Sequence, residues 1–338
     1  MNPRLPAFAS GLLTSAFVLM LSMSLPLGAE ELQTQENNVN VTPESMAFVA
    51  QNSNESIENR VQALNFISQH PNQNSLVAAA RGLKDENAMI REAAIGAVAP
   101  YPLAHRYRMV SPLLAAEESS VRSAAIIHLL KDFEQLQMGQ QANVRAQADE
   151  LITQLIDDQS YTQQLLLADI YRWTFRYQSA QAIYENLLTY DQKSVALFLS
   201  FSHNYYAQGK NQETLDILEK GIQFDNEDAT LHYAKALALV RLQQKEVAAE
   251  SMKIATELAP DNAYYWYLNG VLQEPLEIEQ SIKSFEKAYL ISGSPENLYA
   301  MCDIYIRNAH QNTEQCITAL AEIAPQEVVD GLRQQQGQ

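Results

Sequence analysis

What most limits the folds open to this chain is a recurrence at 34 residues. Ala168, Tyr171, Ala180 and Tyr184 are followed 34 positions later by Ser202, Tyr205, Thr214 and Leu218, and after another 34 by Ala236, Leu239, Ala248 and Met252. A further copy, Gly270, Ser281, Phe285 and Ala288, is one residue short in its second half. A constant alternation of small and bulky residues describes two helices per unit. Small side chains stand where the first helix crosses the second, and bulky ones wedge into the neighbouring unit. A single helix pair cannot bury its apolar face alone, so the copies must stack, and the expected fold is an all-α solenoid of helix-turn-helix repeats. A fifth unit runs from about Pro295 to Pro325, its second helix resuming near Thr313. The remainder, 327–338, reads as a polar tail suited to capping the stack.

A different block recurs upstream. Ile57 to Leu64, Met89 to Ile95 and Ser120 to Ile126 align on Arg60, Arg91 and Arg122, which lie 31 residues apart twice. Acidic or amide residues precede each arginine, at Asn54-Glu55, Asp85-Glu86 and Glu117-Glu118. An acid before a helix suits the positive end of its dipole. Paired alanines allow close helix approach, and each arginine is placed to pair with the acidic turn of an adjacent repeat. Residues 55–138 thus resemble HEAT-type repeats, in a unit shorter than usual and with a degenerate first copy. Residues 160–326 resemble tetratricopeptide repeats. Between them, Gln140 to Ile156 places Val144, Ala148, Leu151, Ile152 and Leu155 on one face. The segment 139–159 reads as a connecting helix that splices the two arrays into one superhelix.

The order of the two arrays, with the segments His232 to Arg241 and Leu258 to Tyr267, resembles the non-haem part of periplasmic multihaem c-type cytochromes over roughly residues 55 to 290. Those proteins carry Cys-x-x-Cys-His haem attachment sites, and this chain has none. The resemblance therefore implies a docking role and no inherited electron transfer.

The N-terminus reads as a targeting segment. Arg4 precedes an apolar run from Gly11 to Leu25, Pro26 breaks it, and Leu27-Gly28-Ala29 offers a small residue at the cut. The run is shorter than a spanning helix needs, so residues 1–29 are expected to be a cleaved signal peptide and the product periplasmic. Residues 30–54 read as a flexible leader, with a short helix started by Thr42-Pro43-Glu44. The chain carries a formal net charge of −17. That disfavours nucleic acid, whose binding needs Lys and Arg to release counterions. On long-range electrostatics a basic protein partner is favoured.

No catalytic constellation is legible. The histidines His70, His105, His128, His203, His232 and His310 fall at no metal-ligand spacing, and His128 reads as a core residue on an apolar helix face. The carboxylate pairs Asp157-Asp158 and Glu117-Glu118 sit at turns and read as solvated. Neither a nucleophile elbow nor a phosphate loop is present, so neither a cofactor nor a metal is expected. The two cysteines, Cys302 and Cys316, fall at the small-residue positions of the fifth unit if its inter-helix turn is two residues longer than usual. In an oxidising compartment they should form a disulfide closing a loop of about 15 residues, worth roughly 3 kcal/mol.

The tetratricopeptide resemblance implies which positions line the concave face of the array. Carried onto this chain they include Arg172, Trp173, His203, Tyr206, Tyr233, Arg241, Tyr264, Tyr267 and Arg307. Tyr, Trp and Arg dominate binding hot spots because they bury much area with few torsions and keep a polar tip. Such a groove suits a peptide or helix of a partner protein. The alternative is a structural subunit that self-associates or sits permanently in a larger envelope complex.

Overall fold

A computed structural model describes residues 41–190 and 194–336. The expected signal peptide, 1–29, and the first part of the leader, 30–40, lie outside the described residues. The described residues are helical with no strand among them, and the chain divides into two compact units, Met1–Asp157 and Asp158–Gln338.

The first unit contains α1 (Pro43–Gln51), α2 (Ile57–Gln69), α3 (Gln73–Gly82), α4 (Ala88–Ala97), α5 (Leu103–Val110), α6 (Ser119–Leu130) and α7 (Met138–Leu155). The start of α1 follows from its sequence: the Thr42 hydroxyl accepts from the Ser45 N–H, and Pro43 fills the first turn, where no donor is missed. The part of the leader from Pro43 to Gln51 is thus an ordered helix with Ala47 and Ala50 buried, packed on α2 and α3.

The arginine-bearing helices α2, α4 and α6 pack in succession. Their arginines make the pairings expected from the repeat. Arg60 reaches Asp85 at 2.5 Å, and Arg91 reaches Glu118 at 2.5 Å, each in the turn before the next arginine helix. Arg91 and Arg122 also donate to two carbonyls of the turn before their own helix, Asp85 and Glu86 for the former, Ala116 and Glu117 for the latter. Burial works against the charge of Asp85, but the Asn87 N–H and the Arg60 guanidinium outweigh it and hold its pKa below the ordinary value. A further pair, Arg106 with Asp132 at 2.6 Å, is nearly closed to solvent. Small residues serve this unit too: a Cβ on Gly82 would lie 2.9 Å from that of Ala94. On α7 the buried face is Val144, Ala148, Leu151, Ile152 and Leu155.

The second unit is a series of helical hairpins: α8 (Tyr161–Trp173) with α9 (Tyr177–Leu187), α10 (Val195–Tyr206) with α11 (Asn211–Phe224), α12 (Ala229–Arg241) with α13 (Lys245–Leu258), α14 (Ala263–Gln273) with α15 (Ile278–Ser292), and α16 (Pro295–Arg307) with α17 (Thr313–Ile323). Each second helix packs on the first helix of the next hairpin. Where the two helices of a hairpin cross, small residues meet. Ala168 and Ala180 are fully buried, as are Ala236 and Ala248. The Ser281 hydroxyl donates to the Gly270 carbonyl at 2.7 Å, and a Cβ on Gly270 would stand 2.9 Å from the Phe285 ring. At the same crossing in the fifth hairpin Cys302 and Cys316 form a disulfide, with Cα atoms 5.5 Å apart.

The turns inside the hairpins repeat as well. Phe175, Gly209 and Gln243, spaced 34 apart, take φ of 67°, 72° and 62°, and Ala309 takes 49°. Each turns the N–H of the following residue back onto the helix end: Arg176, Lys210, Gln244 and His310 donate to the carbonyls of Tyr171, Tyr205, Leu239 and Tyr305. The sequence reading of 327–338 as a polar tail needs correction. Gln326–Gln336 is a helix, α18, packed on α16 and α17, and Val329 and Leu332 are fully buried in the last core cluster.

Candidate binding face

The sequence-predicted residues gather into two groups on the first helices of the hairpins. In the first group Arg172 of α8 is tethered. Its guanidinium lies 2.9 Å from Asp169 and 3.3 Å from the Tyr184 hydroxyl, which itself donates to Asp169 at 2.8 Å. Trp173 packs its ring 5.2 Å from the same guanidinium. Burial, then the charge of Asp169, push the Tyr184 pKa well above 10, so the phenol stays a donor. Burial opposes the Arg172 charge as well, but Asp169 and Tyr184 outweigh it and raise its pKa.

From α10 come His203 and Tyr206, and from α12 comes Arg241, all three exposed. The Arg241 guanidinium lies 4.0 Å from the Tyr206 ring centroid, a close cation–π contact. No ion pair engages Arg241 among the described residues. Crowding by the surrounding helices, then the charges of Arg172 and Arg241, against Asp169, hold the His203 imidazole down at about 4. It is therefore neutral at ordinary pH.

The second group is aromatic. Tyr233 of α12 meets Tyr264 edge-on at 6.1 Å and stacks on Tyr265 at 5.0 Å. Tyr264 is 50% exposed, whereas Tyr265 is buried. Tyr267 sets its edge against Phe285 at 5.7 Å, so part of its area fills a gap between helices. Arg307 of α16 pairs with Asp303 at 2.7 Å and with Glu274. Burial raises the Asp303 pKa.

Two features escaped the sequence. The Tyr184 tether of Arg172 joins α9 to α8 across 12 residues, a contact no periodicity announces. The stacking partner of Tyr233 is the buried Tyr265, which is not among the groove positions the repeat pattern marks on α14. Other histidines serve packing: His232 bonds the Asn226 carbonyl, His310 stacks on Tyr305, and His128 is buried. Among the described residues no three His, Cys, Asp or Glu side chains converge on a metal position. A cleft of about 200 Å³ lies elsewhere, between Glu246, Glu250, Lys253, Leu276 and Glu277, and none of the predicted residues lines it.

No family model matches the chain. No curated protein sequence matches it either. Solved structures do resemble it over about half its length. MamA is 17% identical over 51% of this chain and 96% of its own, with a TM-score of 0.41. MamA from Desulfovibrio magneticus RS-1 is 14% identical over 49% and 96%, with a TM-score of 0.42. YrrB, described as a TPR protein with an unusual peptide-binding site, is 16% identical over 54% and 97%, with a TM-score of 0.44.

Proposed function

We propose that the chain is an exported, non-catalytic scaffold that holds a peptide or helix of an envelope protein against the first helices of its second unit. One observation carries this reading: Tyr206, Arg241 and Tyr264 stand exposed on three successive hairpins of one helical stack. A globular protein ordinarily folds such side chains onto its own core, and large rings left open beside an unpaired guanidinium suit a partner's side chains. Catalysis finds no support in the geometry. The ionisable cluster Asp169, Arg172 and Tyr184 is closed on itself by hydrogen bonds among its three members.

Export and a periplasmic location rest on the sequence pattern of residues 1–29. The arginine ladder of α2, α4 and α6 supports reading the first unit as HEAT-like. Beside the resemblance to the non-haem region of multihaem cytochromes, it makes a component of an envelope redox or assembly complex the preferred partner class. The test is retention of envelope proteins by the wild-type chain and by the triple variant Tyr206→Ala/Tyr233→Ala/Arg241→Ala. A partner kept by the first and lost by a still-folded second supports the reading. Equal retention moves the binding surface elsewhere.

A further inference from the structure

The charge of the second unit is segregated by helix. The first helices of its first three hairpins, α8, α10 and α12, carry three cations, Arg172, Lys235 and Arg241, against one acid, Asp169. The second helices of the same hairpins, α9, α11 and α13, carry seven acids and three lysines. In a chain of net charge −17 the face with exposed rings is thus locally cationic. This inverts the expectation of a basic partner drawn from overall charge.

The three cations are not equivalent. Lys235 is spent on Glu219 at 2.9 Å, and Arg172 is tied to Asp169. Arg241 is held over the Tyr206 ring with its donors uncommitted. An arginine fixed by an aromatic face and free at its edge is pre-organised to take a carboxylate in a forked pair of hydrogen bonds. Arg172 and Arg241 both act on His203, which stands between them on α10. Neighbouring helix axes lie about 8–10 Å apart, so the row of exposed side chains from α10 to α14 spans roughly 20 Å, longer than one carboxylate.

We infer that this face takes an acidic peptide segment, with an Asp or Glu side chain on Arg241 and apolar or aromatic residues along Tyr206, Tyr233 and Tyr264. The inference rests on the scaffold reading above and sharpens it to a ligand class. A side-chain carboxylate rather than a chain terminus is chosen because Arg241 on α12 stands between the exposed rings of Tyr206 on α10 and Tyr264 on α14, so a segment that covers both runs past it in both directions. His203, neutral between the two arginines, adds a donor without a competing charge.

The experiment is selection of phage-displayed random peptides on the full chain, followed by titration of synthetic copies with amidated C-termini. The expected winners carry an Asp or Glu residue flanked by aromatic or apolar ones. Their affinity should fall roughly tenfold or more with Arg241→Gln, as for a lost charge-assisted hydrogen bond, and recover in part with Arg241→Lys. It should weaken as salt is raised. Peptides that depend on Tyr206 and Tyr264 but are neutral or basic, and indifferent to Arg241→Gln, would overturn this inference and leave the scaffold reading standing. Binding that disappears on amidation would overturn the choice of side-chain carboxylates. Selection yielding no peptide sensitive to Tyr206→Ala or Tyr264→Ala would overturn both. Arg241, Tyr206 and Tyr264 are exposed, so circular dichroism should show these variants folded.

Discussion

In the first unit successive repeats are tied by arginine, whereas in the second the two helices of each repeat are keyed by side-chain size. Arg60 and Arg91 each reach a carboxylate in the turn ahead of the next arginine helix, and Arg106 closes a third pair on Asp132. In the second unit the recurring contact lies inside each hairpin: Ala168 on Ala180, Ser202 near Thr214, Gly270 on Ser281, and finally a covalent bond between Cys302 and Cys316. A polar ladder is directional and titratable; a steric key is neither. The two units should therefore fail under different insults, and the surface of the second, freed from ladder duty, can leave Arg241 unpaired.

The largest effect is expected in the first unit. Arg106→Leu leaves Asp132 without its partner in a nearly closed site, and losing one member of a buried pair costs about 3–5 kcal/mol. Urea unfolding followed by probes in each unit should show the loss confined to the first. A loss shared equally would dissolve the contrast between ladder and key.

Next is the disulfide. Cys302→Ser/Cys316→Ser removes the crosslink of a loop with sequence separation 14. That should cost the second unit about 3 kcal/mol and fray α16 to α18 first, as hydrogen exchange would show. The mirror experiment is acid. Burial, then the charges of Arg106 and Lys131, against Asp132, lower the His128 pKa from 6.5 to about 4. The unfolded imidazole gains its proton near 6.5 and the folded one only near 4. Stability is therefore full above about 6.5 and falls as pH drops towards about 4, by up to about 3 kcal/mol. His128→Met should flatten that slope in the first unit. His203 is held as low, but it is open to solvent and contributes little.

The smallest effect concerns the hairpin turns. Gln243 holds a left-handed conformation that favours glycine, as Gly209 does 34 residues earlier. Gln243→Gly should stabilise the second unit by roughly 0.5–1 kcal/mol, read as a rise in Tm. A fall would mean that the Gln243 side chain matters more than its backbone.

Much of this was legible because helix packing writes itself as periodic residue size. The 34-residue recurrence located the small residues at every crossing, including the two cysteines once the longer turn between Arg307 and Thr313 is allowed. The arginine ladder was legible for the same reason. What was not legible lacks a period. Val329 and Leu332 are only two apolar residues in a polar stretch, so α18 looks like tail until its partners α16 and α17 are seen. The left-handed turns carry no sequence signal because Phe, Gly, Gln and Ala share no side-chain signature. Repeat position marks Arg172 for the groove, but position alone does not reveal that Tyr184 and Asp169 already hold it.

The central claim is that partners meet the first helices of the second unit. The most direct measurement places a photo-cross-linking amino acid at Tyr264 on α14 or at Val247 on α13, both 50% exposed, in the chain expressed in its native envelope. The account predicts a defined protein adduct from position 264 and none from 247. Adducts from 247 alone, or equally from both, would contradict it.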